Sequence, residues 1–527
     1  DIIRHTSVPE KAIIFGRYSP AYFGFILVYA AGFVVVPAAL LLFQSQLAQV
    51  VTAIQSNVLL VGLAFALLLG LGWAILKIEV VGEYRLMRFA WLALLAGVGL
   101  SLIFTGWGQG PLRLWQQLAA GLLAVVVAVE VVAQLLAAFG RLPGIRKITS
   151  GLFIPYGRFY HNQEGLANGL ANNWGWPYPN FRNEAGTRQI MLMGDTFIQA
   201  LQIQPRQHLG VHLERLLNRN ASPKTEVLAM GNPGFGPGLY LSDTRLRHAM
   251  LAFGPAEFVL FFHLGSDFQT VSEPAGYELC YLVDEAGRVK IHPDQHNHRH
   301  DLQHIILEGY QPVVDPWQIL KTHYLTPKLL KPVLPAANGH SGGSLDIPAY
   351  QAVVRKRVQV NPTHHSIKET DLIKTPGRSN FMFEKTPGPA ARQSLAVATG
   401  LLTASQEILQ EFGATFRLVT IPAFPPAFFS QFSGSAWIPE IGDYDLFGPD
   451  RALEAFAEEH GIAFLSLGRC MAEAKLTVAQ IKALFFAEGQ GHFTPQGHQF
   501  VAEALYRHFY APEAEPKAML KDRIKLN

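Results

Sequence analysis

The sequence predicts an N-terminal all-α transmembrane bundle of about four helices, followed by an α/β domain built on a parallel sheet. Three observations lead there. Hydrophobic residues make up 49% of the 527 residues and charged ones only 16%, below the ~25% charged share of soluble globular chains. The deficit is concentrated before Arg141, where four long apolar stretches occur. After that point, short apolar runs ending in glycine-rich loops alternate with helical periodicity, the signature of strand–loop–helix repeats.

The apolar stretches cover residues 21–43, 58–76, 89–104 and 118–139. A bilayer core of ~30 Å takes about 20 apolar residues as helix; the third stretch reaches that only if it extends to Trp107. Pro37 falls inside the first, where neighbouring helices can satisfy the freed carbonyl. Trp107 and Trp115 bracket the link between the third and fourth, as indoles at a headgroup interface do. Arg4, Lys11 and Arg17, then Lys77, Arg85 and Arg88, then Arg141, Arg146 and Lys147 fall on one side, and Arg113 alone on the other. The positive-inside rule then predicts an integral protein of a bacterial plasma membrane with the C-terminal domain in the cytoplasm, a periplasmic or extracellular domain being the alternative if only three stretches span. The expected partners are the lipid bilayer and other membrane subunits. Glu130 and Gln134 lie within the fourth stretch, where a carboxylate must face protein; a hydrogen-bonded helix contact is the expectation, with an ion or proton site as the alternative. Residues 1–148 read as the membrane domain and 149–527 as the α/β domain, with an insertion around 285–350 marked by prolines and the Asn338–Gly343 run.

Within the α/β part, the apolar run 189–193 ends in Gly194-Asp195-Thr196, the run 225–230 in a glycine-rich loop, and the run 258–264 in Gly265-Ser266-Asp267. Runs at 416–421 and 461–467 complete the strands, with helical patterns at 390–412 and 450–460. In open parallel sheets ligands bind beyond the carboxyl ends of the strands, which is where these glycine-containing loops fall.

Four segments in this order resemble the blocks of the SGNH (GDSL-type) hydrolase superfamily, whose esterases, lipases, deacetylases and acyltransferases share a flavodoxin-like three-layer fold. The resemblance spans roughly 174–510. Gly194-Asp195-Thr196-Phe197-Ile198-Gln199-Ala200 is similar to the nucleophile block GDSxxxG, with threonine for serine and alanine for the last glycine. Met230-Gly231-Asn232-Pro233-Gly234-Phe235-Gly236 is similar to the block that supplies an oxyanion-hole N–H, and the resemblance implies that role for Gly234. Gly265-Ser266-Asp267 matches the Gly-Asn-Asp block with Ser266 in place of the oxyanion asparagine. Gly491-His492-Phe493-Thr494-Pro495 matches the block of the catalytic histidine. The family's aspartate, two or three residues before that histidine, is replaced by Gln490 or Gly489, and Glu488 is the nearest acid.

The family reaction needs a hydroxyl nucleophile, an imidazole base, a carboxylate to fix the imidazole tautomer and donors for the oxyanion. The β-methyl of Thr196 restricts χ1. Loss of the orienting acid costs about 10⁴-fold in a serine protease, and loss of one oxyanion donor roughly 10²–10³-fold. The sequence therefore predicts a degenerate site and a binding or structural subunit of a membrane assembly. The alternative is an active membrane-tethered esterase or O-acyltransferase acting on lipid or envelope glycan through Thr196 and His492, with Glu488 as substitute orienter.

Nothing points to a cofactor. The two cysteines, Cys280 and Cys470, lie outside any CxxC spacing, so neither a disulfide scaffold nor a thiolate zinc site is expected. The histidine-rich stretch His292, His296, His298, His300 and His304 is a weak metal candidate, centred on His296, His298 and His300, and reads first as an exposed polar loop. A net charge of +3 gives no case for nucleic acid.

Overall fold

A computed structural model describes residues 129–142, 145–148, 154–219, 223–232, 236–272, 281–284, 288–291, 322, 380–422, 440–441, 444–445, 447–486 and 491–511. The chain divides into two units, Asp1–Ile145 with His323–Val353, and Arg146–Thr322 with Val354–Asn527.

In the first unit the described element is a helix, α1, over 129–138. Here the transmembrane expectation is corrected. No helix among the described residues is long and apolar enough to cross a membrane. The expected transmembrane bundle and the placement as an integral membrane protein are therefore not upheld. The stretches 21–43, 58–76 and 89–104 lie outside the described residues. Within α1, Gln134 Nε2 donates to Glu130 Oε1 at 2.7 Å, one turn away. Both side chains are buried, so an amide answers the carboxylate inside the helix itself.

The second unit is α/β. Three short antiparallel strands come first: β1 (Lys147–Ile148), β2 (Arg158–His161) and β3 (Ala167–Leu170). The main sheet follows, with five parallel strands: β4 (Arg188–Gly194), β5 (Thr225–Gly231), β6 (Glu257–His263), then, past the small antiparallel pair β7 (Tyr281–Val283) and β8 (Val289–Ile291), β9 (Thr415–Ile421) and, past a second pair β10 (Glu440–Ile441) and β11 (Tyr444–Asp445), β12 (Ala463–Ser466). The spatial order is β12-β9-β6-β4-β5. Numbered by first appearance in the sheet, this is the doubly wound order 2-1-3-4-5, with its switch point between β4 and β6.

The strands read as continuous apolar runs because both faces of a parallel sheet are covered. Ile190–Met193, Val227–Met230 and Phe258–Phe262 are all buried. The helices that cover them are α2 (Thr196–Gln199), α3 (Leu209–Leu217), α4 (Pro237–Tyr240), α5 (Asp243–Phe253), α6 (Asp267–Ser272), α7 (Pro389–Glu411), α8 (Gly448–Glu459), α9 (Leu467–Glu473), α10 (Val478–Leu484) and α11 (Pro495–Leu505). Right-handed crossovers put the β4–β5 connection on one face and the later ones on the other. Accordingly α3 packs on α11, and α7 on α5 and α6. The insertion expected around 285–350 lies outside the described residues except for 288–291 and 322.

The amino edge of the sheet is tied by buried carboxylates. Glu257 pairs with Arg188, with Arg417 Nε at 2.7 Å and with the Tyr510 hydroxyl at 3.0 Å. Glu226 accepts from the Arg182 and Asn183 N–H groups at 2.6 and 3.0 Å. The carboxyl edge, with Gly194, Gly231 and His263 as its last residues, carries the candidate site.

Candidate active site

Thr196 is the first residue of α2, a single turn that begins where β4 ends. Asp195 caps it: its Oδ1 accepts the Phe197 N–H at 2.9 Å. The turn lies directly on Gly231 of β5, where a Cβ would stand 1.8 Å from the Gln199 nitrogen, so only glycine lets the backbones approach. Ala200 closes α2 in the left-handed region at φ 53°. A residue with a Cβ is strained in that conformation. At the first helical position the Thr196 N–H has no partner within the helix and is available to an oxyanion.

His492 precedes α11, which starts by simple local rules: Thr494 caps it, accepting the Gly497 N–H at 3.1 Å, and Pro495 occupies the first turn. The Phe486 N–H donates to the His492 carbonyl at 2.8 Å. Gly497 seats α11 against α10, for a Cβ there would meet the Leu484 carbonyl oxygen at 2.1 Å.

These elements bring the Thr196 Oγ1 to 2.8 Å from His492 Nε2. The other ring nitrogen, Nδ1, lies 2.5 Å from Glu164 Oε2, and Glu164 Oε1 accepts the Gly491 N–H at 3.1 Å. The expectation that His492 lacks an orienting acid therefore does not hold. The acid comes from the turn between β2 and β3, outside the main sheet. The side chains of His492 and Glu164 are 5% and 4% exposed, so the pair is shielded from water. A carboxylate at Nδ1 keeps the proton there and leaves the Nε2 lone pair facing the threonine hydroxyl.

Gly165 lets the turn fit, since a Cβ would stand 2.3 Å from the Gln202 carbonyl oxygen and 2.5 Å from the Phe486 ring. Below it, Phe159, Ala167 and Leu201 form a small separate core that fixes the hairpin to the chain leaving α2. Nothing in the family blocks points to Glu164. The one signal available was compositional, a carboxylate in the polar run Asn162-Gln163-Glu164-Gly165.

A second layer holds α2. His208 Nε2 donates to the Ile198 carbonyl at 2.7 Å, and its Nδ1 accepts the Gly210 N–H at 3.0 Å. The Leu209 N–H donates to His498 Nδ1 at 3.2 Å. Burial drives both imidazoles toward the neutral form: the His208 pKa falls to about 4, and that of His498 falls well below its usual value.

On the other side, the Ser266 hydroxyl lies 3.1 Å from His263 Nδ1 and donates to Asp267 Oδ1 at 3.2 Å. It is engaged by its own loop, and Asp267 also accepts the His263 N–H at 2.9 Å. His263 Nδ1 is 3.4 Å from Asp195 Oδ2. The Phe197 ring packs against both imidazoles, at 4.8 Å from His263 and 4.9 Å from His492.

Gly234, Glu488, Gln490 and Cys280 lie outside the described residues, as do His292, His296, His298, His300 and His304. Among the described residues no group of three or more His, Cys, Asp or Glu is arranged to hold a metal ion. Cys470 is a free thiol whose pKa burial raises to about 12, so it carries no thiolate chemistry at neutral pH.

Neither known family models nor curated proteins match the chain. The chemistry is therefore argued from the residues.

Proposed function

We propose that this chain is an acyl-ester hydrolase or O-acyltransferase of SGNH type, working through a Thr196–His492–Glu164 triad. The observation that carries the reading is the continuous relay from hydroxyl to imidazole to carboxylate, at 2.8 and 2.5 Å, in a water-shielded setting. Thr196 Oγ1 attacks the ester carbonyl as its proton passes to His492 Nε2. Glu164 stabilises the imidazolium. The first N–H of α2 donates to the oxyanion. The tetrahedral adduct collapses, the alcohol leaves with the proton from His492, and an acyl-threonine remains. Water or an acceptor alcohol, deprotonated by His492, then attacks that acyl group and releases Thr196. The β-methyl of Thr196 slows attack without removing the nucleophile.

One observation favours the inert alternative, a binding or structural subunit: the Ser266 hydroxyl is turned into its own loop, where the family has an oxyanion donor. The two readings separate on labelling. The full chain is incubated with an alkyl fluorophosphonate and with a p-nitrophenyl acyl ester. The triad reading expects a covalent adduct on the peptide containing Thr196, lost in His492→Ala, and ester hydrolysis above the Thr196→Ala background. No adduct and no hydrolysis above that background would establish the inert reading.

A further inference from the structure

We propose that the buried pair His208 and His498 is a strut that sets the distance between Thr196 and His492, with His208 as its positioning residue. The kinetic consequence rests on the triad reading; the geometry does not. Thr196 and His492 come from separate elements, and the 2.8 Å between Thr196 Oγ1 and His492 Nε2 persists only if α2 and α11 keep their spacing. α2 is a single turn, too short to hold itself as a helix, and its last carbonyls need donors from outside. His208 Nε2 supplies one, to the Ile198 carbonyl at 2.7 Å. The next residue, Leu209, donates its N–H to His498 Nδ1 at 3.2 Å, and His498 lies near the start of α11, the helix that His492 leads into. An unbroken path of hydrogen bonds therefore runs from α2 through His208 and Leu209 to α11. A second contact joins the same two elements: Phe197 and Phe493, which follow Thr196 and His492 in the chain, pack ring to ring at 5.0 Å.

The chemistry of imidazole explains why histidines serve here. His208 is also the N-cap of α3, its Nδ1 accepting the Gly210 N–H at 3.0 Å. An acceptor at Nδ1 puts the ring proton on Nε2, where it meets Ile198. A serine cap would satisfy Gly210 and leave the Ile198 carbonyl without this donor. With Leu209 bound to His498, the first two N–H groups of α3 are both satisfied by imidazole nitrogens. Both rings must be neutral for this, because protonation turns each Nδ1 from acceptor into donor. Their setting keeps them so. Each histidine is 1% exposed and the rings lie 5.1 Å apart. Tyr178 closes edge-on against His208 at 5.0 Å, and Phe493 against His498 at 5.8 Å.

The test uses the full-length chain labelled with ¹⁵N in its histidine rings, whose shifts tell protonated from bare nitrogen and are assigned by their loss in the His208 and His492 variants. In the wild-type chain His208 is expected to be protonated at Nε2 alone, and His492 Nε2 to be displaced from its position in Thr196→Ala by the hydroxyl. His208→Asn keeps a cap for Gly210 but is too short to reach Ile198. It should unfold in urea near the wild-type midpoint, move the His492 Nε2 resonance to its Thr196→Ala position, and lower kcat on a p-nitrophenyl ester about tenfold to a hundredfold with KM unchanged. His208→Gln, whose amide extends to the place of Nε2, should restore the resonance and kcat. An unmoved His492 resonance in His208→Asn would overturn the proposal, as would an unchanged kcat in an active chain, or a wild-type His208 protonated at Nδ1. If His208→Asn does not fold, His208→Gln decides: a folded variant that keeps the wild-type His492 resonance supports the strut, and one that loses it overturns the strut. A chain whose His492 resonance depends on His208 but which hydrolyses nothing would sink the acyl-transfer reading alone.

Discussion

Two buried carboxylates sit at opposite ends of the same sheet and do different things. At the amino edge, Glu257 meets two guanidinium groups and a phenol. At the carboxyl edge, Glu164 meets an imidazole and a backbone N–H. Guanidinium never releases its proton in a protein, so the charge on Glu257 is matched permanently and the group only holds strands together. Imidazole gains and loses a proton near neutrality, so the charge on Glu164 biases where that proton sits. What distinguishes the structural carboxylate from the one proposed to act in catalysis is the acidity of its partner, since both side chains are about 4% exposed.

The comparison breaks most visibly at the nucleophile. Thr196→Ala should lower ester turnover about 10³-fold or more while leaving the unfolding midpoint in urea nearly unchanged; equal turnover in the two chains would remove Thr196 from the chemistry. Glu257→Gln should do the reverse. Turnover per folded molecule stays the same, and stability falls by about 2–3 kcal/mol, less than for a fully dry pair because Arg188 is 40% exposed. Urea unfolding with an unchanged slope measures this.

The histidines behind α2 sharpen the contrast through pH. His208 is neutral in the fold with a pKa of about 4 against an ordinary 6.5, and His498 is shifted the same way. Between those values the unfolded chain binds protons that the folded chain refuses. The stability that His208 contributes is complete above pH 6.5 and declines as pH falls toward 4. The loss is on the order of 3 kcal/mol. Unfolding free energies at pH 7 and pH 4.5 should differ accordingly, and His208→Gln should flatten the difference. The smallest expected effect is a gain. Ser266→Asn restores the donor type that the SGNH pattern carries and should raise kcat about tenfold, since one oxyanion donor is worth roughly 10²–10³-fold when fully aligned. A fall in kcat would show that the Ser266–His263 contact matters more than the missing amide.

Sequence reasoning reached the parallel sheet because strands β4, β5, β6 and β9 are unbroken apolar runs that end in glycine or polar loops. It reached Thr196 and His492 because each sits in a local string whose geometry is set by its neighbours: Asp195 as cap before Thr196, and Thr494-Pro495 as helix start after His492. It did not reach Glu164. The relation between a hairpin turn and a loop more than 300 residues later is tertiary, and no periodicity or spacing encodes it. The SGNH pattern places the acid just before the histidine, where Glu488 is the nearest carboxylate in the sequence. The transmembrane expectation rests on apolar length alone, and no helix among the described residues is long and apolar enough to cross a membrane; in the described part of the fourth stretch Gln134 donates to Glu130.

The central claim is that a carboxylate from outside the sheet steers the imidazole beside Thr196. Glu164→Gln tests it most directly, by steady-state hydrolysis of a p-nitrophenyl ester together with a urea unfolding curve. The triad predicts a fall in kcat approaching about 10⁴-fold with the fold retained, because a neutral amide no longer fixes the tautomer or stabilises the imidazolium. A folded Glu164→Gln chain that turns over ester as fast as the wild type would contradict it.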